Sequence, residues 1–165
     1  MERQRTTALP AEAELARQME YIREIRQEND RYFAETGKHK KFYSLAMGCQ
    51  MNAHDSEKLE GMLDEMGYER TQEETEADFI IYNTCCVREN AELKVYGKLG
   101  WLKHYKKENP DAVVALCGCM MQQDTVLETI RQKYRHVDLV FGTFNLYKLP
   151  ELMKTRACLL YTSDA

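Results

Sequence analysis

Asp78-Phe79-Ile80-Ile81-Tyr82-Asn83-Thr84-Cys85 is an apolar run, aromatic at Phe79 and Tyr82 and β-branched at Ile80 and Ile81, that ends in two small polar residues and a thiol. Such a run, without alternation, reads as a strand buried on both faces, which is the habit of parallel sheets. Two further stretches share its layout. Phe42-Tyr43-Ser44-Leu45-Ala46-Met47 leads through Gly48 to Cys49, and Ala112-Val113-Val114-Ala115-Leu116-Cys117 leads through Gly118 to Cys119. If the three strands lie parallel in one sheet, three thiols remote in sequence meet at its carboxyl edge, where open α/β sheets bind their ligands.

Between these strands the apolar period changes from continuous to helical. His54 to Met66 places Leu59, Met62, Leu63 and Met66 on one face, with Gly67 as a C-terminal stop. Glu89 to Lys107 repeats the pattern with Ala91, Val95, Leu99, Leu102 and Tyr105, and its Gly97 and Gly100 read as points of close packing on the sheet. Tyr68–Thr71 reads as a short extra strand, and Asp124–Tyr134 as a helix burying Val126, Leu127 and Ile130. Residues 137–141 read as another strand, and a last short helix begins near Pro150. Strands separated by helices imply an α/β fold, a parallel sheet covered on both faces. Residues 41–155 form this domain. Residues 1–40 read as a helical N-terminal arm, helical from Pro10 to about Phe33, with a stripe of Leu15, Met19, Ile22, Ile25 and Phe33. One periodic stripe on an otherwise charged helix predicts an arm that packs loosely or is partly disordered.

Composition narrows the functional classes. The 165 residues carry a net charge of −4, with signs interspersed. A nucleic-acid grip usually shows a basic field, so the main nucleic-acid surface is expected elsewhere. No apolar run is long enough to span a membrane and no leader-like apolar segment follows Met1. The six cysteines then point to a reducing, cytoplasmic setting in which thiols serve metals or redox chemistry.

The loops after the strands carry the chemistry. In Met47–Asn52, Gly48 permits a tight turn and Asn52 reads as the cap of the next helix. In Asn83–Asn90, a thiol at position 85 or 86 would lie near a helix N-terminus, which together with Arg88 favours a thiolate. Cys117–Gln123 repeats the Gly-Cys pairing, whereas Gly142–Asn145 holds no thiol and would only close the crevice. Thiolates without a local CxxC pair suit an iron–sulfur cluster better than a zinc finger. Cysteine is also a common core residue, the natural reading for Cys86 and Cys117, although spacing alone does not choose between Cys85 and Cys86 or between Cys117 and Cys119. His39, His54, His104 and His136 are scattered and read as solvated, and the methionines read as packing. Zinc or flavin binding are the competing readings; no GxGxxG or GxxxxGK loop follows a strand.

Taken together, Gly48-Cys49-Gln50-Met51-Asn52, Asn83-Thr84-Cys85 with Val87–Glu92, Gly118-Cys119-Met120 with Gln122-Gln123, and Val140-Phe141-Gly142-Thr143 with Asn145 and Leu149-Pro150 resemble the N-terminal domain of MiaB-type tRNA methylthiotransferases. The resemblance runs from about Phe42 to Met153. It implies a flavodoxin-like fold in which Cys49, Cys85 and Cys119 hold an auxiliary 4Fe–4S cluster with one iron free of protein ligands. It also implies that the full enzyme carries a second 4Fe–4S cluster on a CxxxCxxC motif. That enzyme uses S-adenosylmethionine to methylthiolate an isopentenylated adenosine beside the tRNA anticodon, and grips tRNA mainly through further domains. Sister families acting on threonylcarbamoyl-adenosine or a ribosomal protein share the cysteines and usually differ at Gln50-Met51. No CxxxCxxC occurs in this chain, so a fragment inactive alone is expected; a monomer without membrane association is expected as well. Residues 156–165 read as an irregular tail, non-native from Cys158, which resembles translated adapter sequence.

Overall fold

The computed structural model describes residues 11–47, 50–84 and 91–155. Among the described residues, five strands form one parallel sheet in the order β2-β1-β3-β4-β5. They are β1 (Lys41–Met47), β2 (Glu69–Arg70), β3 (Phe79–Thr84), β4 (Val113–Gly118) and β5 (Leu139–Phe141). The connecting helices are α2 (Gln50–Glu65), α3 (Ala91–Glu108) and α4 (Asp124–Lys133), preceded by α1 (Glu12–Thr36) and followed by α5 (Leu149–Thr155). This is the flavodoxin-like doubly wound arrangement, whose strand order reverses direction between β1 and β3.

Both faces of the sheet are covered, and the two cores follow the alternation of β3 and β4. Ile80, Tyr82, Val114 and Leu116 pack under α3 and α4 with Val95, Leu99, Leu102, Val126 and Ile130. Phe79, Ile81, Val113, Ala115 and Cys117 pack on the opposite side with Leu59, Leu63, Leu149, Leu152 and Ile25 of α1. Every residue of β3 and β4 is buried, which is why their sequences show no polar alternation.

Several expectations need correction. The helix after β1 begins at Gln50 rather than His54, so Asn52 lies inside α2 and is not its cap. The C-terminal end matches the expectation: Gly67 takes φ 93°, its N–H donates to Asp64 and that of Tyr68 to Leu63, a Schellman closure. Gly97 and Gly100 do not pack on the sheet, since a β-carbon built on either meets nothing within 4 Å.

The arm is not loose. Ile25 is buried in the core, and Gln18 and Asn29 are buried beside it. Gln18 Nε2 donates to Glu151 Oε1 at 2.9 Å, while the Glu151 N–H donates to Gln18 Oε1 at 3.1 Å. Asn29 Nδ2 donates to the Met66 carbonyl at 2.9 Å, an acceptor left over at the end of α2. The predicted stripe holds in part: Ile22 and Ile25 pack on the domain, whereas Leu15, Met19 and Phe33 are exposed, and the contact line runs through Gln18, Ile22, Ile25 and Asn29.

Candidate functional site at the carboxyl edge

The carboxyl ends of the three central strands are level. Met47 pairs with Thr84 and Thr84 pairs with Gly118, so the last residues of β1, β3 and β4 form one row across the sheet. Adjacent strands lie about 4.8 Å apart, which puts the outer members of this row about 10 Å from each other. Cys119 follows β4 directly, Cys85 follows β3 directly, and Cys49 is the second residue past β1. Cys49, Cys85 and Cys86 lie outside the described residues, as do Gly48 and Arg88. Cys119 opens a 3-10 turn, Cys119–Gln122, and is partly exposed.

Cys117 takes the other environment. It is completely buried on the α2 side of β4. Burial, with a smaller contribution from the Asp55 charge, pushes its thiol well above the ordinary 9.0, so it stays protonated. The core reading of Cys117 therefore holds, and the two thiols flanking Gly118 are divided between core and edge.

Beneath the edge lies a polar arrangement not anticipated from the sequence. Asn83, Thr84 and Ser56 are buried polar side chains. Thr84 Oγ1 donates to the Cys117 carbonyl at 2.8 Å, tying β3 to β4. Asn83 Nδ2 donates to Ser56 Oγ at 3.2 Å, tying β3 to α2. Gly118 adopts φ 109°, and a β-carbon there would lie 2.2 Å from the Thr84 carbonyl oxygen. The signal was present as two polar residues ending an apolar strand, a pattern that costs stability unless both find buried partners.

The fourth loop meets the third. Gln122 lies against Gly142, where an added β-carbon would stand 3.0 Å from Gln122 Cγ. On the other side of the row, Met47, Glu74, Lys94, Gly97, Lys98 and Trp101 line an open cleft of about 590 Å³. Lys98 Nζ donates to Glu74 Oε1 at 3.0 Å, and the Tyr82 hydroxyl donates to the same carboxylate. Burial first, and then this carboxylate, hold the Tyr82 hydroxyl well above its ordinary pKa.

Among the described residues, no group of three or more His, Cys, Asp or Glu side chains is placed to hold a metal ion. His39 and His54 are exposed, as expected. His136 departs from that expectation: it is half-buried, Nε2 lies 2.8 Å from the Leu99 carbonyl, and burial lowers its pKa. Met66, Met120 and Met121 are fully buried, in keeping with a packing role. No described helix is long and apolar enough to cross a membrane.

These features define a flavodoxin-like α/β domain whose three central strands end level at one edge. The family described as uncharacterized protein family UPF0004 matches residues 41–142, and the chain belongs to it. Similar proteins include a tRNA-2-methylthio-N(6)-dimethylallyladenosine synthase of Clostridioides difficile, 56% identical over 153 residues that make up 93% of this chain and 32% of the relative. Proteins of the same name are 61% identical in Acetivibrio thermocellus, over 85% of this chain and 29% of the relative. In Alkaliphilus oremlandii the identity is 64%, over 71% of this chain and 25% of the relative. The chain thus spans about a third or less of the length of these curated relatives.

Proposed function

We propose that this chain is the auxiliary-cluster module of a tRNA methylthiotransferase, with Cys49, Cys85 and Cys119 as the protein ligands of a 4Fe–4S cluster. The observation that carries the proposal is the level row of Met47, Thr84 and Gly118, each followed within two residues by a cysteine. Thiolate is the ligand class of such clusters, and three level strand ends suit a donor set drawn from remote sequence positions. When bound, the group would supply exchangeable sulfur at an iron that no protein side chain occupies.

The protein's own residues have distinct parts in this reading. Partial exposure leaves Cys119 available at the edge, while burial keeps Cys117 a neutral thiol that does not compete. Met120 and Met121, the next two residues of its turn, are fully buried in the α3/α4-side core and anchor that turn. By extension from the relatives' names, the parent protein adds a methylthio group to dimethylallyladenosine in tRNA. Gln50-Met51, together with those names, supports this substrate over those of the sister families. Radical generation with S-adenosylmethionine, and most of the tRNA grip, are assigned to other parts of the parent, since these 165 residues hold no CxxxCxxC and are acidic overall.

Anaerobic reconstitution with iron and sulfide tests the assignment. The chain should turn brown and bind about four iron atoms. Replacing Cys49, Cys85 or Cys119 with Ala should abolish retention, whereas Cys86→Ala and Cys117→Ala should leave iron content unchanged. Equal iron loss in all five variants, or a colourless zinc-loaded protein, would overturn it.

A further inference from the structure

We infer that Ser56, Asn83, Thr84 and Gly118 form a positioning network that sets the relative placement of the three cysteine-bearing segments. The inference rests on the cluster assignment and concerns residues other than the proposed ligands. Each segment has a member in the network. Ser56 lies on α2, the helix that begins directly after Cys49; Asn83 and Thr84 immediately precede Cys85; Gly118 immediately precedes Cys119.

The physical case begins with desolvation. Thr84 is fully buried and Asn83 and Ser56 nearly so, between two otherwise apolar cores. A buried hydroxyl or amide costs free energy unless it is paired, so apolar residues of similar shape would serve a purely structural strand end at least as well. What the polar residues add is direction. The hydroxyl of Thr84 reaches sideways to the Cys117 carbonyl and fixes β4 one residue before it turns. The amide of Asn83 reaches the opposite way to Ser56 and fixes α2. Gly118 makes the third restraint, because only a residue without a β-carbon lets β4 come this close to the Thr84 backbone. A metal group held by three remote segments depends on their mutual placement, and residues behind the ligands commonly set it.

The test uses the 165-residue chain after anaerobic reconstitution. Two quantities are read: the rate at which a chelator withdraws iron, and the electron paramagnetic resonance spectrum of the reduced cluster. Thr84→Val keeps the branched shape and removes the hydroxyl. It should release iron about tenfold faster than the parent and show a shifted spectrum. Thr84→Ser restores the hydroxyl and should return both toward the parent values. Ser56→Ala cuts the network at α2 and should change the spectrum while secondary structure by circular dichroism stays the same. A folded Thr84→Val with the parent's release rate and spectrum overturns the inference. If Thr84→Val does not fold, a folded Ser56→Ala with parent values overturns it instead. Iron content unaffected by replacing Cys49, Cys85 or Cys119 is a different result: it overturns the cluster assignment and, with it, the role given to the network.

Discussion

Thr84 and Gly118 face each other at the last paired position of β3 and β4, so close that a single added methyl group on Gly118 would fall 2.2 Å from the Thr84 carbonyl oxygen and 2.7 Å from its nitrogen. The neighbour is backbone and has no side chain to swing away. The φ of 109° adds a second penalty for any residue with a β-carbon. Gly118→Ala should therefore destabilise the chain by about 3 kcal/mol, from the combined cost of contact and strain. Denaturant unfolding followed by circular dichroism measures this, and an unchanged midpoint would contradict the described approach of the two strands.

The docking of α1 leads to a contrast between two kinds of apolar residue. Ile25 is buried in the core beside Phe42 and Leu63, and Ile25→Ala should cost about 3 kcal/mol. Leu15 and Met19 are 44% and 47% exposed, so their replacement by Ser should change stability by less than about 0.5 kcal/mol. Parallel denaturation curves decide it. Comparable losses at Leu15 and Ile25 would mean that the contact line does not run through Gln18, Ile25 and Asn29.

Cys117 and Cys119 should differ in reactivity toward iodoacetamide. In the metal-free folded chain at neutral pH, Cys119 should be alkylated and Cys117 protected until denaturant is added, as read by peptide mass spectrometry. A pH dependence follows. Below the ordinary value of 9.0, the Cys117 thiol is protonated in both states and contributes no slope. Above it the unfolded chain loses the proton first, so stability falls as pH rises, by up to about 1.4 kcal/mol per pH unit from this group. Cys117→Ala should remove that share of the alkaline slope.

Under the proposed function, the reconstituted chain by itself should not modify RNA. Incubated anaerobically with reductant, S-adenosylmethionine and isopentenylated tRNA, it should yield no methylthiolated adenosine by nucleoside mass spectrometry. Product above a no-protein control would show that radical chemistry resides within these 165 residues.

Much of this architecture is legible in the sequence, for an identifiable reason. β3 and β4 are buried on both faces, so their composition is decided by the core alone and their ends fall within one residue of the apolar runs. The order of the strands follows from the family resemblance, and the level row of their ends from the register. Spacing alone left Cys117 and Cys119 open and the resemblance pointed to Cys119; the structure adds the burial of Cys117, since β4 extends through Gly118 and strand alternation sends Cys117 into the α2-side core. The start of α2 escaped because a capping preference of about 1 kcal/mol at Asn52 is easily outweighed by tertiary placement. The contact face of α1 escaped for another reason. Hydrophobic periodicity selects Leu15 and Met19, but the helix is held by amides whose partners, Glu151 and Met66, lie far along the chain.

The attachment of α1 also has a mechanical side. Glu151 is gripped by Gln18 through both its backbone N–H and its carboxylate, Arg17 Nη2 reaches the same carboxylate at 2.9 Å, and Lys154 pairs with Glu24 and Glu28. Tension applied beyond Thr155 would therefore be shared between the packing of α5 on the sheet and its polar contacts with α1. The first and the last described helices thus share one anchorage.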